Sequence, residues 1–423
     1  MPARRLFVDI EPLRTSRQFR RLWGGYVVSV LGSQLTVVAV PYQVYRLTHS
    51  SLDVGLIGLA QIVPVLLGAL AGGSIADAVD RRRVLLVSQA LLASCSLGLF
   101  WNASTAHPRL WPLYVLAGIS AGFAATDTST RAAVIANLVE RRQLSSANAL
   151  WQLLFQIGSV VGPGIAGLLI AHIGIASAYA ADASTFAVSL AAVASLKALP
   201  PIEGGTRFGW RSVKEGLTFL KGRQVLQATF AIDLGAMVLG LPRAAFPALG
   251  TLRFRGGAQT IGLLYAAPGA GALIGAALTG WVASVRRHGR AVLIAVAVWG
   301  SAIAVFGIAT WLPAALVLLG IAGAADVISA VFRGTILQTE APDSLRGRIS
   351  SIHTAVVTGG PRLGDVETGA VASLAGAPTA VISGGLGCLV GVALVWKLMP
   401  RLAAYIAPEH GPDVRPAEPE PTP

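Results

Sequence analysis

Apolar stretches of twenty or more residues return from near residue 22 to near residue 400, each bounded by short polar or charged segments. A spanning helix needs about 20 mostly apolar residues. Twelve blocks meet that length: 22–46, 53–77, 83–104, 109–130, 147–172, 174–197, 225–249, 259–284, 290–311, 313–336, 350–374 and 378–400. The pattern predicts an all-α membrane protein with 12 transmembrane helices. The longest connection, 198–224, holds Pro200, Pro201 and the apolar-basic stretch 208–220. It reads as a linker carrying an amphipathic helix on the membrane surface. Two six-helix bundles follow, 22–197 and 225–400, with an N-terminal segment at 1–21 and a tail at 401–423. That tail is proline-rich, acidic and too polar to pack, so disorder is expected there.

The halves echo each other at a spacing of about two hundred residues. Gly73, Asp77 and the run Arg81-Arg82-Arg83 after the second block are answered by Gly280 and Arg286, Arg287 and Arg290 after the eighth. Asp127 and Arg131 close the fourth block, and Asp326 and Arg333 close the tenth. Two pseudo-symmetric bundles related by an axis along the membrane normal are therefore expected, with a binding site between them.

Charge fixes an expected orientation. The chain has 33 Lys and Arg against 20 Asp and Glu, a net +13 that in a soluble protein would suggest nucleic acid. Position argues otherwise. Twenty-seven of those basic residues fall on the side of the amino terminus, leaving Arg46, Arg109, Arg243, Arg253, Arg255 and Arg362. This positive-inside bias puts both termini in the cytoplasm, with the lipid bilayer rather than nucleic acid as the surrounding partner. The first block is too long for a signal-peptide core and lacks a cleavage site, so it is expected to remain as a span.

Several residues carry a resemblance. Gly73, Asp77, Arg81 and Arg82 match the loop signature between spans 2 and 3 of the major facilitator superfamily, with Asp80 where a second glycine is usual. Gly158, Gly162, Pro163 and Gly167 match its span 5 exporter motif, with Ala166 replacing a glycine. The opening FRRLWGGYVVSVLGSQLTVVAVPYQVYRLTHSS, IGLLYAAPGAGALIGA in span 8 and LQTEAPDSLRGRISS after span 10 are similar to the enterobactin (siderophore) exporter-like branch. The resemblance implies a major facilitator fold in the inner membrane, no cofactor, a small organic cargo such as a siderophore, and export by alternating access. It also implies that Asp77 gates the cytoplasmic ends of the two halves, with Arg131 a candidate partner. Drug-proton antiporters of the superfamily often carry an arginine in the outer half of span 4, and 113–122 has none. Proton coupling must then use other groups.

Candidates for that work are acids inside the spans, each of which needs a partner, water or a job. Asp127 with Arg131, and Asp326 with Arg333, share helix faces and can pair. Asp182 reads as a hydrogen-bonder between packed helices. Asp233 has no basic neighbour in sequence closer than Arg223 or Arg243, and an unpaired acid at that depth suits proton carriage. In span 11, Arg362 and Asp365 share a face and can neutralise each other, while Glu367 points elsewhere. Gly359, Gly360, Pro361 and Gly364 can unwind the helix there. Asp233, Arg362, Asp365, Glu367, Asp127 and Asp326 are thus the expected coupling or substrate residues. Gln34, Tyr42, Trp151, Gln152, Phe155 and Tyr265 are expected to line the cavity, with Arg243 or Arg362 meeting an anionic substrate.

Other chemistries fail on context. Gly162-Pro-Gly164-Ile-Ala-Gly167 fits a dinucleotide fingerprint but lies inside an apolar span without a preceding strand. Gly118-Ile-Ser120-Ala-Gly122 fits a nucleophile elbow inside span 4, where no such turn can form. No Walker lysine motif exists, the six histidines form no metal pair, and Cys95 and Cys388 read as small core residues. The expectation is a monomeric, non-enzymatic, proton-coupled exporter. A multidrug antiporter is the nearest rival, and a non-transporting sensor or scaffold is a third reading.

Overall fold

The computed structural model describes residues 9–200, 218–342 and 345–407; within helices, the side chains at 73, 74, 76, 77, 283, 346, 347 and 351 fall outside the description. Twelve long helices follow in chain order. The first half holds α1 Arg17–Thr48, α2 Ser51–Ala78, α3 Arg81–Ser104, α4 Trp111–Leu138, α5 Leu144–His172 and α6 Ile175–Ala194. The second holds α7 Gln224–Leu239, α8 Ala258–Ala277, α9 His288–Ile308, α10 Leu312–Glu340, α11 Arg346–Ala375 and α12 Ala377–Leu398. Among the described residues, ten helical stretches are long and apolar enough to cross a membrane by length and composition. α4 and α11, at 28 and 30 residues, are as long but more polar.

Local chemistry sets the ends. Ser16 and Ser50 accept the backbone N–H of Phe19 and Asp53, capping α1 and α2. Prolines in the first turns of α4, α10 and α12 occupy positions whose N–H has no intrahelical acceptor. The turns α5–α6 and α11–α12 each pass through a glycine with positive φ, Gly174 at 116° and Gly376 at 89°. A side chain there would be strained, and the two glycines occupy corresponding places in the two halves.

Packing follows the same symmetry. α1 packs on α5 and α6, α2 on α4, and α3 on α4 and α6; α7 packs on α11 and α12, α8 on α10, and α9 on α10 and α12. Between halves, α2 meets α11 and α5 meets α8, which are again equivalent pairs. Both seams are made by missing side chains. A methyl on Gly58 would lie 2.5 Å from the Arg362 carbonyl oxygen, and one on Gly369 would lie 2.6 Å from that of Ser51. On the other seam, Gly262 faces the Pro163 carbonyl at 2.5 Å and Gly167 that of Ala258 at 2.9 Å. Small residues let helix backbones approach this closely.

These seams lie in the half of the molecule away from the chain termini. Three buried apolar clusters reflect that. One joins both halves, through Leu35, Val44 and Ile57 on one side and Phe246, Ile261 and Leu264 on the other. Nearer the termini the cores are separate: Phe19, Leu22, Leu85 and Leu150 in the first half, and Leu226, Phe230, Leu337 and Ile352 in the second.

Two expectations need correction. Span 11 is not unwound: α11 is continuous through Gly359, Gly360 and Pro361. The break is in the seventh span, where α7 stops at Leu239 and the chain turns through Gly240, Leu241 and Pro242 into short helical turns at Arg243–Ala245, Phe246–Ala248 and Leu249–Arg253. Residues 401–407 of the tail are packed against the second half. Pro400–Ala403 is helical with Leu402 fully buried, and Ala407 donates its N–H to the Arg286 carbonyl at 2.8 Å. The linker helix expected at 208–220 lies outside the described residues, apart from a helical piece at 218–220.

Candidate functional site

Each half buries an arginine on its fourth helix, and the two are served differently. In the first half Arg131 lies one turn after Asp127 on α4 and grips its Oδ2 through Nε at 2.9 Å and Nη2 at 2.6 Å. Gln89 of α3 donates to the other carboxylate oxygen at 3.3 Å. The guanidinium also lies over Tyr26, 4.7 Å from the ring centre, and Trp151, at 5.3 Å; these rings stack on each other at 3.7 Å. One charge is matched by one, and the cation is cushioned by π faces. The expected Asp127–Arg131 pair therefore exists. Arg131 thus already holds a carboxylate, while the side chains of Gly73 and Asp77 are outside the description, so the proposed Asp77–Arg131 latch is not visible.

In the second half Arg333 of α10 serves two acids. Its Nη2 is 3.0 Å from Asp233 of α7 and 3.6 Å from Asp326 on its own helix, and Nη1 donates to Ser329 at 3.1 Å. His353 of α11 places Nε2 3.6 Å from the other oxygen of Asp233. Asp233 is therefore not the isolated acid that its sequence neighbours suggest: its partners arrive from α10 and α11. Its side chain is 1% exposed and that of Arg333 2%, whereas Asp326 is 40% exposed toward the cavity. His353 enters the sequence reading only as one of six histidines that form no metal pair. It occupies in α11 the place that Trp151 holds in α5, about two hundred residues earlier, and that symmetry was the available signal.

Between the halves lies a cavity of about 640 Å³, running from Arg243, Tyr265 and Arg362 to Tyr26, Asp127 and Arg131. Of the expected lining residues, Gln34, Phe155 and Tyr265 face it, as does Asp326; Trp151 stands behind Tyr26, and Gln156 takes the place expected of Gln152. Tyr42 is buried and contacts Arg46 instead.

A smaller compartment of about 300 Å³ continues from it and is bounded by Arg243, Arg362 and Asp365. The expected Arg362–Asp365 pair is not formed. Arg362 turns back to the carbonyl of Thr358 on its own helix, its Nε has no partner, and Asp365 Oδ1 accepts nothing. Arg243, brought in by the broken α7, borders the same compartment. Glu367 lines neither cavity and accepts a hydrogen bond from Thr368 at 3.3 Å. Asp182 behaves as the hydrogen-bonder expected, its Oδ2 taking Thr36 of α1 and Ser96 of α3, both at 2.7 Å.

The motif residues have structural work of their own. Asp80, the departure from the glycine pattern, caps α3 through the Arg82 N–H at 2.9 Å and holds the Leu199 N–H at 3.1 Å. Arg82 reaches the carbonyls of Val193 and Ala194 at the end of α6, and buried Arg81 donates its backbone N–H to Leu199. The glycines of α5 split between two neighbours: Gly158 and Gly162 abut Val30 and Gln34 of α1, while Pro163 and Gly167 form the seam with α8.

Residues 9–414 match the family described as transmembrane secretion effector. The chain is 29% identical over 410 residues to the enterobactin exporter EntS of Citrobacter koseri, covering 97% of this chain and 98% of that protein. It is 30% identical over 393 residues to EntS of Shigella boydii, covering 93% and 94%. Among solved structures, a peptide transporter POT superposes with a TM-score of 0.72 at 8% identity, covering 93% of this chain and 96% of that one. A D-xylose-proton symporter gives 0.67 at 15% identity, covering 93% and 98%. At such identities the structures speak for the fold alone, and that fold is the major facilitator one.

Proposed function

Since the chain belongs to the transmembrane secretion effector family, we propose that it is a proton-coupled exporter of a small organic molecule, of the siderophore kind that the EntS relatives carry. In this reading both termini are cytoplasmic and the membrane is the bacterial inner membrane. The observation that carries the reading is the cavity between two halves that are sealed by glycine seams on the far side and have separate cores near the termini. Such a molecule loads from the cytoplasm and releases outward once the seams part.

Coupling is assigned to the Asp233–Arg333–Asp326–His353 group. Two acids and an imidazole on one guanidinium leave a carboxylate in excess, which can take a proton as Arg333 shifts its weight from one acid to the other. The first-half pair, Asp127 with Arg131, is balanced and holds its helix together. One charge crossing 100 mV supplies about 2.3 kcal/mol, and a tenfold gradient costs about 1.4 kcal/mol, so one proton supports a useful gradient.

The test is efflux from proteoliposomes of known orientation under an imposed proton gradient. Transport that follows the gradient and is lost in Asp233→Asn or Asp326→Asn supports the reading. Transport indifferent to the gradient removes proton coupling, and no transport of any candidate siderophore removes the cargo class. Loss of siderophore secretion in a deletion strain, against gained sensitivity to several unrelated compounds, separates it from a multidrug antiporter.

A further inference from the structure

Charge accounting in the cavity leaves one place unexplained. Arg131 has Asp127, and Arg333 has Asp233 and Asp326. Arg243 and Arg362 have no carboxylate oxygen within 4.0 Å among the described residues. Among the described residues, the guanidinium of Arg243 donates no hydrogen bond, and that of Arg362 is held only by the Thr358 carbonyl. Both line the same compartment. Cations at membrane depth are costly unless paired. Here the fold itself creates the problem, because breaking α7 at Gly240–Pro242 turns Arg243 into the space where α11 already presents Arg362.

The compartment has the other features of a binding pocket. Val54, Ile57 and Phe186 supply apolar walls, and Ser33, Gln61 and Ser120 add neutral polar groups. Tyr265 donates its hydroxyl to the Arg243 carbonyl at 3.1 Å, which fixes the backbone that carries the guanidinium. Asp365 lies within reach of both fields but bonds to neither arginine, and its Oδ1 is buried without a hydrogen bond. Asp182, which also lines the compartment, takes Thr36 and Ser96 on its Oδ2, while its Oδ1 is buried without a hydrogen bond.

We propose that Arg243 and Arg362 form a two-pronged seat for an anionic oxygen group, a carboxylate or phenolate, on the transported organic molecule, with Asp365 as the resident counter-charge that the ligand's anion replaces. Guanidiniums suit this role because each presents a planar fork of donors to two oxygens. The proposal rests on the exporter reading only for the word transported; the seat itself is a property of the empty protein.

The test is equilibrium binding to the full chain in phosphatidylcholine nanodiscs, with no gradient and no anionic lipid. The probes are salicylate, its neutral isostere salicylamide, and inorganic phosphate. Salicylate is expected to bind in preference to salicylamide. Arg243→Gln and Arg362→Gln should each weaken it about 10- to 100-fold, the range that loss of a charged hydrogen bond gives, and Arg243→Lys should recover part of the loss. Asp365→Asn should tighten salicylate several-fold, a gain that misfolding cannot mimic. Equal binding of salicylamide, absence of salicylate binding, equal binding of phosphate, or no gain in Asp365→Asn overturns the proposal. Efflux is measured separately. Gradient-driven flux with no anion preference removes the seat and keeps the exporter, whereas anion binding without flux does the reverse.

Discussion

Replacing Arg333 with Met removes the one cation shared by Asp233 and Asp326 while roughly keeping the length of the side chain. The two acids do not suffer equally. Asp326 is 40% exposed toward the cavity, although the Oδ1 that faces Arg333 at 3.6 Å is itself buried, so that contact counts for less than the one to Asp233. Asp233 is 1% exposed and 3.0 Å from the lost guanidinium, with His353 at 3.6 Å as its only other basic neighbour among the described residues. Breaking a buried pair by removing one member costs about 3–5 kcal/mol. Arg333→Met should therefore unfold well below the wild type in a thermal or SDS titration of detergent-purified protein. Neutralising the acid as well, in Asp233→Asn/Arg333→Met, should restore most of that loss, since an uncharged pair of similar volume is tolerated in such a place. Asp326→Asn/Arg333→Met should restore little. If Arg333→Met is as stable as the wild type, or if the Asp326 double variant recovers as well as the Asp233 one, the assignment of Asp233 as the obligate partner is wrong.

Three further outcomes are expected. Gly262→Leu forces a side chain into the Pro163 carbonyl, overpacking worth about 1–3 kcal/mol; because the seam closes only on the far side, it should bias the protein away from that closed state, read as increased cysteine labelling at far-side positions and lost efflux. Asp182→Ala leaves the hydroxyls of Thr36 and Ser96 without their acceptor and should lower stability by about 1–3 kcal/mol, whereas Asp182→Asn should keep coupled efflux; abolished coupling in the latter would move Asp182 into the proton path. Asp80→Gly, which restores the commoner family pattern, should cost only about a few tenths of a kcal/mol for the α3 cap and about 1 kcal/mol for the lost Leu199 N–H bond in thermal unfolding, with no change in efflux at low temperature.

The twelve-helix plan was legible because the bilayer imposes its length on every span, and the two-half organisation because repeated charges mark repeated helix ends. What escaped was three-dimensional. Gly359, Gly360 and Gly364 look like helix breakers in the sequence, yet Gly360 and Gly364 serve close packing against Met237 and Val238 of α7. The true break, at Gly240 and Pro242, carries as clear a turn signature and was passed over because the apolar run continues through it. Pairing between positions four apart, as in Asp127 and Arg131, follows from one helix and could be read. The partners of Asp233 come from α10 and α11, and Arg362 turns to the Thr358 carbonyl in a compartment that Arg243 enters from the broken α7, so neither arrangement was accessible from local spacing.

The separate cores near the termini have a mechanical meaning. A swing of one bundle against the other can proceed there without tearing any shared oily interior, so the energy at stake is concentrated in the two glycine ribbons at the opposite rim. Those ribbons then act as the pivot as well as the seal. A compound that wedged between them would jam the rocker without ever competing for cargo.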